Sequence, residues 1–235
     1  MTLPIVVLAG GLATRIRPIT EKIPKSLIDI NGKPFVLHQL DLFTRNNIEH
    51  IHFCLGYLGQ MVKEVIESHS YNKTIKITYS FDGERLLGTG GAIKKALPEL
   101  PEFFFVTYGD SYLDIEYKSI ETLFTKANPE GLMTIYKNDN LFDSSNATFL
   151  NNQIVQYSKT NKNNKMNYID FGLGVLRKRA FQDYPHNFAF DLSEIYETLS
   201  LEKKLIGYES QKRFYEIGSF QGIKDLSQYL KTKNS

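Results

Sequence analysis

The 235 residues, 42% hydrophobic and 13% aromatic, suffice for one large α/β domain with a packed core and exclude a disordered or fibrous chain. A formal charge of +2, from 28 basic and 26 acidic residues, lacks the dense basic character of a dedicated nucleic-acid binder, so no nucleic-acid partner is expected. The single cysteine, Cys54, excludes an internal disulfide, and no apolar run reads as a signal peptide or membrane span, so a cytoplasmic protein without a membrane partner is expected.

Ile5-Val-Val-Leu-Ala9 is a continuous apolar, β-branched run ending at Gly10-Gly11, which predicts a strand buried on both faces, as in a parallel sheet. Residues 34–47 carry Phe35, Leu37, Leu40, Leu42 and Phe43 at helical spacing. A strand over 51–55 with Cys54 buried in it, a helix over 61–68, a strand over 76–80, a helix over 91–97 and a strand over 103–108 follow. Alternation at this spacing requires crossover helices and a mainly parallel sheet. Further on, a strand is predicted over 131–136, a hairpin from 147–150 and 153–157 around Asn151-Asn152, and a strand over 168–176 interrupted by two glycines. The lysine- and asparagine-rich stretch 160–167 reads as a mobile loop. Asp191-Leu-Ser-Glu194 has the spacing of a capping box and opens a helix through Leu201, and a last helix covers 221–230. No repeat, linker or low-complexity tract divides the chain, so one domain over 1–235 is expected.

The first strand runs directly into Gly10-Gly-Leu-Ala-Thr-Arg15. Paired glycines there let the backbone turn sharply and bring its N–H groups to an anion, at the strand end where open α/β sheets bind ligands. Arg15 offers bidentate donors to phosphate, and Lys25, stiffened by Pro24, a second cation. Taken alone, the glycine pair is better read as an ordinary strand–helix turn, since such pairs are common, with Arg15, Arg17 and Lys25 as surface charges. The loop lacks the Gly-Lys-Ser/Thr of a P-loop and the glycine spacing of a dinucleotide fold. Phe103-Phe-Phe-Val-Thr-Tyr-Gly-Asp110 delivers a carboxylate to the same sheet edge, where it suits a metal–triphosphate or merely caps a turn. Leu86-Leu-Gly-Thr-Gly-Gly-Ala92 precedes a helix, and its glycines serve either close packing or ligand entry. The five histidines lack metal-ligand spacing.

Leu8-Ala-Gly-Gly-Leu-Ala-Thr-Arg-Ile-Arg-Pro18, Pro24-Lys-Ser-Leu27 and Asn31-Gly-Lys-Pro34 resemble the linked signature of the sugar-1-phosphate nucleotidyltransferases. That pattern is a Gly-Gly-x-Gly-Thr-Arg-Leu loop followed by Pro-Lys-Pro/Ala-Leu, and the similarity extends over nearly the whole chain; Ala13 stands where glycine is usual. The resemblance implies a three-layer α/β/α Rossmann-like (GT-A-like) fold: a mainly parallel sheet with a small β-rich sugar-binding portion. A nucleotide-binding half would occupy 1–115 and a sugar-phosphate half 116–235. It implies in-line attack of a sugar 1-phosphate on the α-phosphorus of a nucleoside triphosphate, with Mg²⁺ as cofactor, pyrophosphate leaving and no protein general base.

By position in the resemblance, Arg15, Lys25 and Asp110 would be catalytic. Leu8, Ala9, Gly10, Gly11, Ala13, Thr14, Arg15, Gly88, Thr89 and Gly90 would bind the nucleotide. Asp110 would be the principal metal ligand, and Glu216, in Phe214-Tyr-Glu-Ile-Gly-Ser219, falls where the family carries a second aspartate; a solvent-facing glutamate on an edge strand is the alternative. Tyr168-Ile-Asp-Phe-Gly-Leu-Gly-Val175 resembles the family's sugar strand, which implicates Asp170 and Gly172. Lys159, in Tyr157-Ser-Lys159, would neutralise the sugar phosphate or be one more surface lysine, and Ser158 stands where the family often has glutamate. The nearest likeness is to short guanylyltransferases for mannose or heptose 1-phosphate, implying GTP and surface-polysaccharide synthesis. Uridylyl or cytidylyl transfer to another sugar, polyol or aminoalcohol phosphate stays open, as does a nucleotide-binding regulatory module without catalysis. A homodimer is the default expectation.

Overall fold

The computed structural model describes residues 2–233 other than 13–15, 17, 70, 72–74, 139–141 and 143. Consecutive residues of β1 (Ile5–Ala9) point to opposite faces of a sheet, and both faces are filled: Ile5 and Val7 join one apolar cluster, Val6 and Leu8 another. A short hairpin of β2 (Asp29–Ile30) and β3 (Lys33–Pro34) leads into α1 (Phe35–Arg45). Then come β4 (His50–Leu55), α2 (Gly59–Glu67), β5 (Lys76–Phe81), α3 (Gly88–Ala96), β6 (Phe103–Tyr108), β7 (Ser111–Tyr112) and α4 (Tyr117–Ala127). The remainder comprises β8 (Gly131–Lys137), β9 (Ala147–Leu150), β10 (Gln153–Tyr157), β11 (Tyr168–Arg177), α5 (Leu192–Leu201), β12 (Leu205–Ser210), β13 (Tyr215–Glu216) and α6 (Phe220–Lys233).

One nine-stranded sheet runs in the order β5-β4-β1-β6-β11-β8-β12-β10-β9. Its first four strands are mutually parallel. β11 enters antiparallel to both β6 and β8, so the sheet is mixed beyond that point. Helices cover both faces. Leu37, Leu40 and Phe43 of α1, Val62 and Ile66 of α2, and Ile120 and Phe124 of α4 pack with Val7, Phe53 and Phe105. On the other face, Ile93 of α3 and Ile195 and Leu199 of α5 pack with Val6, Cys54, Phe104 and Val106. A third cluster fixes α6, whose Leu226 and Leu230 meet Ile28, Ile30, Phe35 and Leu42. Among the described residues, no helix is long and apolar enough to cross a membrane.

The expected capping box is present: Ser193 N–H donates to Asp191 Oδ1 at 2.8 Å, and Asp191 N–H to Glu194 Oε1 at 3.0 Å. The 147–157 hairpin also forms, with Asn151 and Asn152 both at positive φ. Sequence reading missed α4 and β12. α4 does bury Tyr117, Ile120 and Phe124 on one stripe, but it opens at Glu116 without a side-chain cap. β12 starts with three successive buried residues, so it has no alternation to detect. Within 160–167, Met166 is buried and Asn163 donates to Gln156, so this stretch is tied to β10.

Candidate nucleotide cleft

From β1 the chain steps to β4 and β5 on one side and later returns to β6 on the other, so strand order reverses at β1–β6. A cleft of about 220 Å³ opens there, beyond the carboxyl ends of the strands. Leu8, Ala9, Gly10 and Gly11 from the end of β1, Lys25, Gly88 and Thr89 at the start of α3, and Asp110 after β6 all line it. Sequence positions from four separate segments thus meet on one cavity. Ala13, Thr14 and Arg15 lie outside the described residues.

Close approach requires glycine at Gly56 and at Gly88. A side-chain carbon on Gly56 would stand 2.6 Å from the Gly10 carbonyl oxygen, and Tyr57 N–H donates to that same oxygen at 3.3 Å. Gly88 sits at φ +68°, where a side chain would also meet the Phe190 carbonyl oxygen at 2.5 Å. Gly90 does not line the cleft. Its missing side chain admits the Phe190 ring, 2.2 Å from where a Cβ would sit, so its role in the fold is helix packing.

At the mouth of the cleft, Lys25 follows Pro24 into a single 3-10 turn, and its Nζ donates to Asp110 Oδ2 at 2.7 Å. β7 pairs antiparallel with β13, setting Glu216 opposite Ser111, and Ile217 N–H donates to the Asp110 carbonyl at 3.0 Å. Glu216 is thereby carried beside Asp110. A side-chain carbon on Gly218 would lie 2.8 Å from Glu216 Oε2, 3.3 Å from Lys25 Nζ and 3.6 Å from Asp110 Oδ2. One ammonium and two carboxylates therefore share a single small space. Two carboxylates beside a phosphate cleft are a hard-oxygen set suited to Mg²⁺, which takes one or two protein carboxylates and completes its shell with substrate phosphates. Among the described residues, no group of three or more His, Cys, Asp or Glu could hold a metal.

The expected sugar-side residues lie beyond β6. Gly172, at φ +92°, faces Ser111: a Cβ there would be 3.3 Å from Ser111 Oγ and 3.6 Å from Tyr108. Asp170 Oδ1 accepts the Gly172 N–H at 2.9 Å. Burial pushes the Asp170 carboxyl above the usual carboxylate range, opposed by that N–H and by Lys159. Lys159 Nζ donates to Asp191 Oδ1 at 2.8 Å and lies 6.0 Å from the Tyr108 ring centroid. Ser158 is buried, and its Oγ accepts the N–H groups of Thr160 and Asn161.

Sequence reasoning missed Asp82, Tyr108 and Gly109, which also line the cleft. Asp82 directly follows β5 and accepts the Leu87 N–H at 3.2 Å; burial raises its carboxyl, against the pull of that N–H and of Lys95. Its place just after a parallel strand was the available signal. Gly109 N–H donates to Leu8 O at 2.8 Å, and a Cβ on Gly109 would strike Ala9 Cβ at 2.7 Å. Cys54 reaches the cleft floor, but burial pushes its thiol up to about 12, which removes it as a nucleophile.

A cleft with convergent charges, at the reversal point of the parallel strands, is where α/β proteins bind nucleotides. The sequence model of the nucleotidyl transferase family matches residues 5–143, and the chain belongs to that family. It is 31% identical over 199 residues to the D-glycero-alpha-D-manno-heptose 1-phosphate guanylyltransferase of Campylobacter jejuni, covering 83% of this chain and 86% of that relative. It is 29% identical over 134 residues to mannose-1-phosphate guanyltransferase beta-B of Xenopus laevis; that match spans 56% of this chain but only 37% of the Xenopus protein. The fold is shared with HddC from Yersinia pseudotuberculosis, solved also in complex with GMP-PN. Against the first of those structures the TM-score is 0.81 at 23% identity, over 97% of this chain and 100% of that one.

Proposed function

We propose that this chain joins GTP to a sugar 1-phosphate, a heptose or mannose 1-phosphate, releasing pyrophosphate and a GDP-sugar in an Mg²⁺-dependent reaction. The observation that carries the reaction is the meeting of Lys25, Asp110 and Glu216 at the mouth of the cleft. The choice of GTP and sugar leans on the heptose 1-phosphate guanylyltransferase relative, which matches along most of both chains.

The nucleophile is a sugar-phosphate oxygen, already ionised at neutral pH, so the protein needs to position and neutralise rather than to remove a proton. Lys25 is the described cation closest to Asp110, and in the free protein it neutralises that carboxylate. When a triphosphate arrives, the same ammonium is within reach of the reacting phosphates. Bound Mg²⁺ supplies charge neutralisation across the triphosphate, with Asp110 and Glu216 to hold it. The backbone at Gly10 and Gly11 offers close approach, and none of the described residues other than its chain neighbours lies within 4 Å of where a Gly11 Cβ would sit. Gly172 and Asp170, next to Ser111 and Tyr108, border the position of the sugar.

The test is pyrophosphate release by the purified chain with Mg²⁺, across GTP, ATP, UTP and CTP, each paired with heptose, mannose and glucose 1-phosphates. Release with GTP and heptose or mannose 1-phosphate is expected. Release that requires UTP or CTP would reject guanylyl transfer, and no release with any pair would reject the enzyme reading.

A further inference from the structure

Asp110 stands in a two-residue connection, Gly109-Asp110, between the last residue of β6 and the first of β7. One side chain of α1 grips that connection at both ends. Gln39 is 1% exposed, and its Nε2 donates to the Tyr108 carbonyl at 3.0 Å and to the Ser111 carbonyl at 2.8 Å. Both amide protons are thus spent on the two peptide carbonyls that flank Gly109-Asp110. Further along, Arg45 Nη2 donates to the Tyr112 hydroxyl at 2.8 Å, and Asn46 Oδ1 accepts the Tyr117 N–H at 2.9 Å. The helix and its cap therefore hold the stretch 108–117 at three places, and Gln39 holds the end that carries the carboxylate.

The other buried positions on this side of α1, Val36, Leu40 and Phe43, are apolar. Packing alone would suit a further apolar residue, because a buried amide is costly when one of its groups lacks a partner. Among the described residues, Gln39 Oε1 has no hydrogen-bond partner. The amide is kept in spite of its oxygen, so the double donation is what this place requires. A neutral nitrogen with two protons serves two neighbouring carbonyls without burying a charge. Gln39 does not line the cleft, so any effect on the reaction passes through the residues it holds. Mg²⁺ demands near-ideal octahedral geometry, which makes its binding sensitive to a small displacement of one carboxylate. We propose that Gln39 is a positioning residue for Asp110: its amide pins both ends of the Gly109-Asp110 turn and so sets where the carboxylate stands relative to Lys25 and Glu216. This rests on the reading of Asp110 as a holder of the metal–triphosphate.

The experiment measures Mn²⁺ affinity by electron paramagnetic resonance, without turnover, in the presence of a non-hydrolysable GTP analogue. The proteins are the wild type, Gln39→Met, Asp110→Asn and the double variant. Methionine keeps the unbranched shape of glutamine and removes both donors. Gln39→Met is expected to weaken Mn²⁺ binding about tenfold, the usual effect of removing a group that orients a metal ligand. In the Asp110→Asn background the same change should add nothing, since its effect passes through the carboxylate. A Gln39→Met protein with the Mn²⁺ affinity of the wild type overturns the proposal. So does an equal loss in both backgrounds, which would mean a general loosening of the fold. If Gln39→Met does not fold, the wild type still decides: both Gln39 side-chain amide protons should exchange slowly with deuterium, and rapid exchange of either shows that the clamp does not form in solution. Mn²⁺ binding that is absent from the wild type, or undiminished in Asp110→Asn, overturns the metal-holding reading of Asp110 itself. A loss in Asp110→Asn without one in Gln39→Met overturns the role of Gln39 alone.

Discussion

Lys25 Nζ and Asp110 Oδ2, 85 residues apart in sequence, meet at 2.7 Å at the mouth of the cleft, with 19% and 31% of their side chains exposed. A pair this open to water adds about 1 kcal/mol or less to stability. The same two groups, set against a polyphosphate, are worth far more to a reaction that depends on charge neutralisation.

Lys25→Met and Asp110→Asn should therefore separate activity from folding. Each is expected to lower kcat/KM for pyrophosphate release about a hundredfold or more, the cost of one lost charge-stabilising group. Thermal unfolding midpoints should stay close to that of the wild type. A variant with near-normal turnover would remove that residue from the site.

Gly218→Ala tests the crowding of the charged groups. Its new Cβ would sit 2.8 Å from Glu216 Oε2 and 3.3 Å from Lys25 Nζ, so the glutamate carboxylate, which accepts from Gly218 N–H and Ser219 Oγ, has to shift. The Mg²⁺ concentration for half-maximal activity should rise several-fold, with thermal stability changed little. An unchanged Mg²⁺ dependence would show that Glu216 has no part in holding the metal.

His52 supplies a pH test of the fold. It is fully buried, its ring nitrogens at 2.9 Å from Thr78 Oγ1 and 3.0 Å from Ser80 Oγ. Burial, with a smaller push from His50, lowers its pKa to about 4. An unfolded histidine takes its proton near pH 6.5, so the unfolded chain protonates first as pH falls. Stability from a neutral His52 is complete above about pH 6.5 and is lost down to about pH 4, by roughly 3 kcal/mol in all. Urea midpoints at pH 7.5 and 4.5 should fall further for the wild type than for His52→Gln, and parallel falls would contradict this account.

Much of the cleft could be read from the chain because its parts are local. A continuous apolar strand ending in Gly10-Gly11, and another ending in Gly109-Asp110, mark two strand ends on one sheet edge, and the linked motif resemblance singles them out from ordinary turns. Glu216 is different. Its position beside Asp110 depends on β7 and β13, two-residue strands that no periodicity could reveal, and only the motif resemblance pointed to it. Asp82 stayed hidden because Asp82-Gly83 reads as an ordinary turn, and nothing in the sequence shows that Gly10 lies against it. Gly90 shows a demand that the sequence hides: a glycine inside a ligand-like motif whose missing side chain makes room for the Phe190 ring.

The most direct measurement is a crystal structure with a non-hydrolysable GTP analogue and Mn²⁺, whose anomalous signal locates the metal independently of the protein trace. The metal should lie between Asp110 and Glu216, with Lys25 Nζ moved from the carboxylate to a phosphate oxygen and the base in the cleft beside Gly88 and Thr89. A nucleotide bound elsewhere, or a metal away from both carboxylates, would contradict the account.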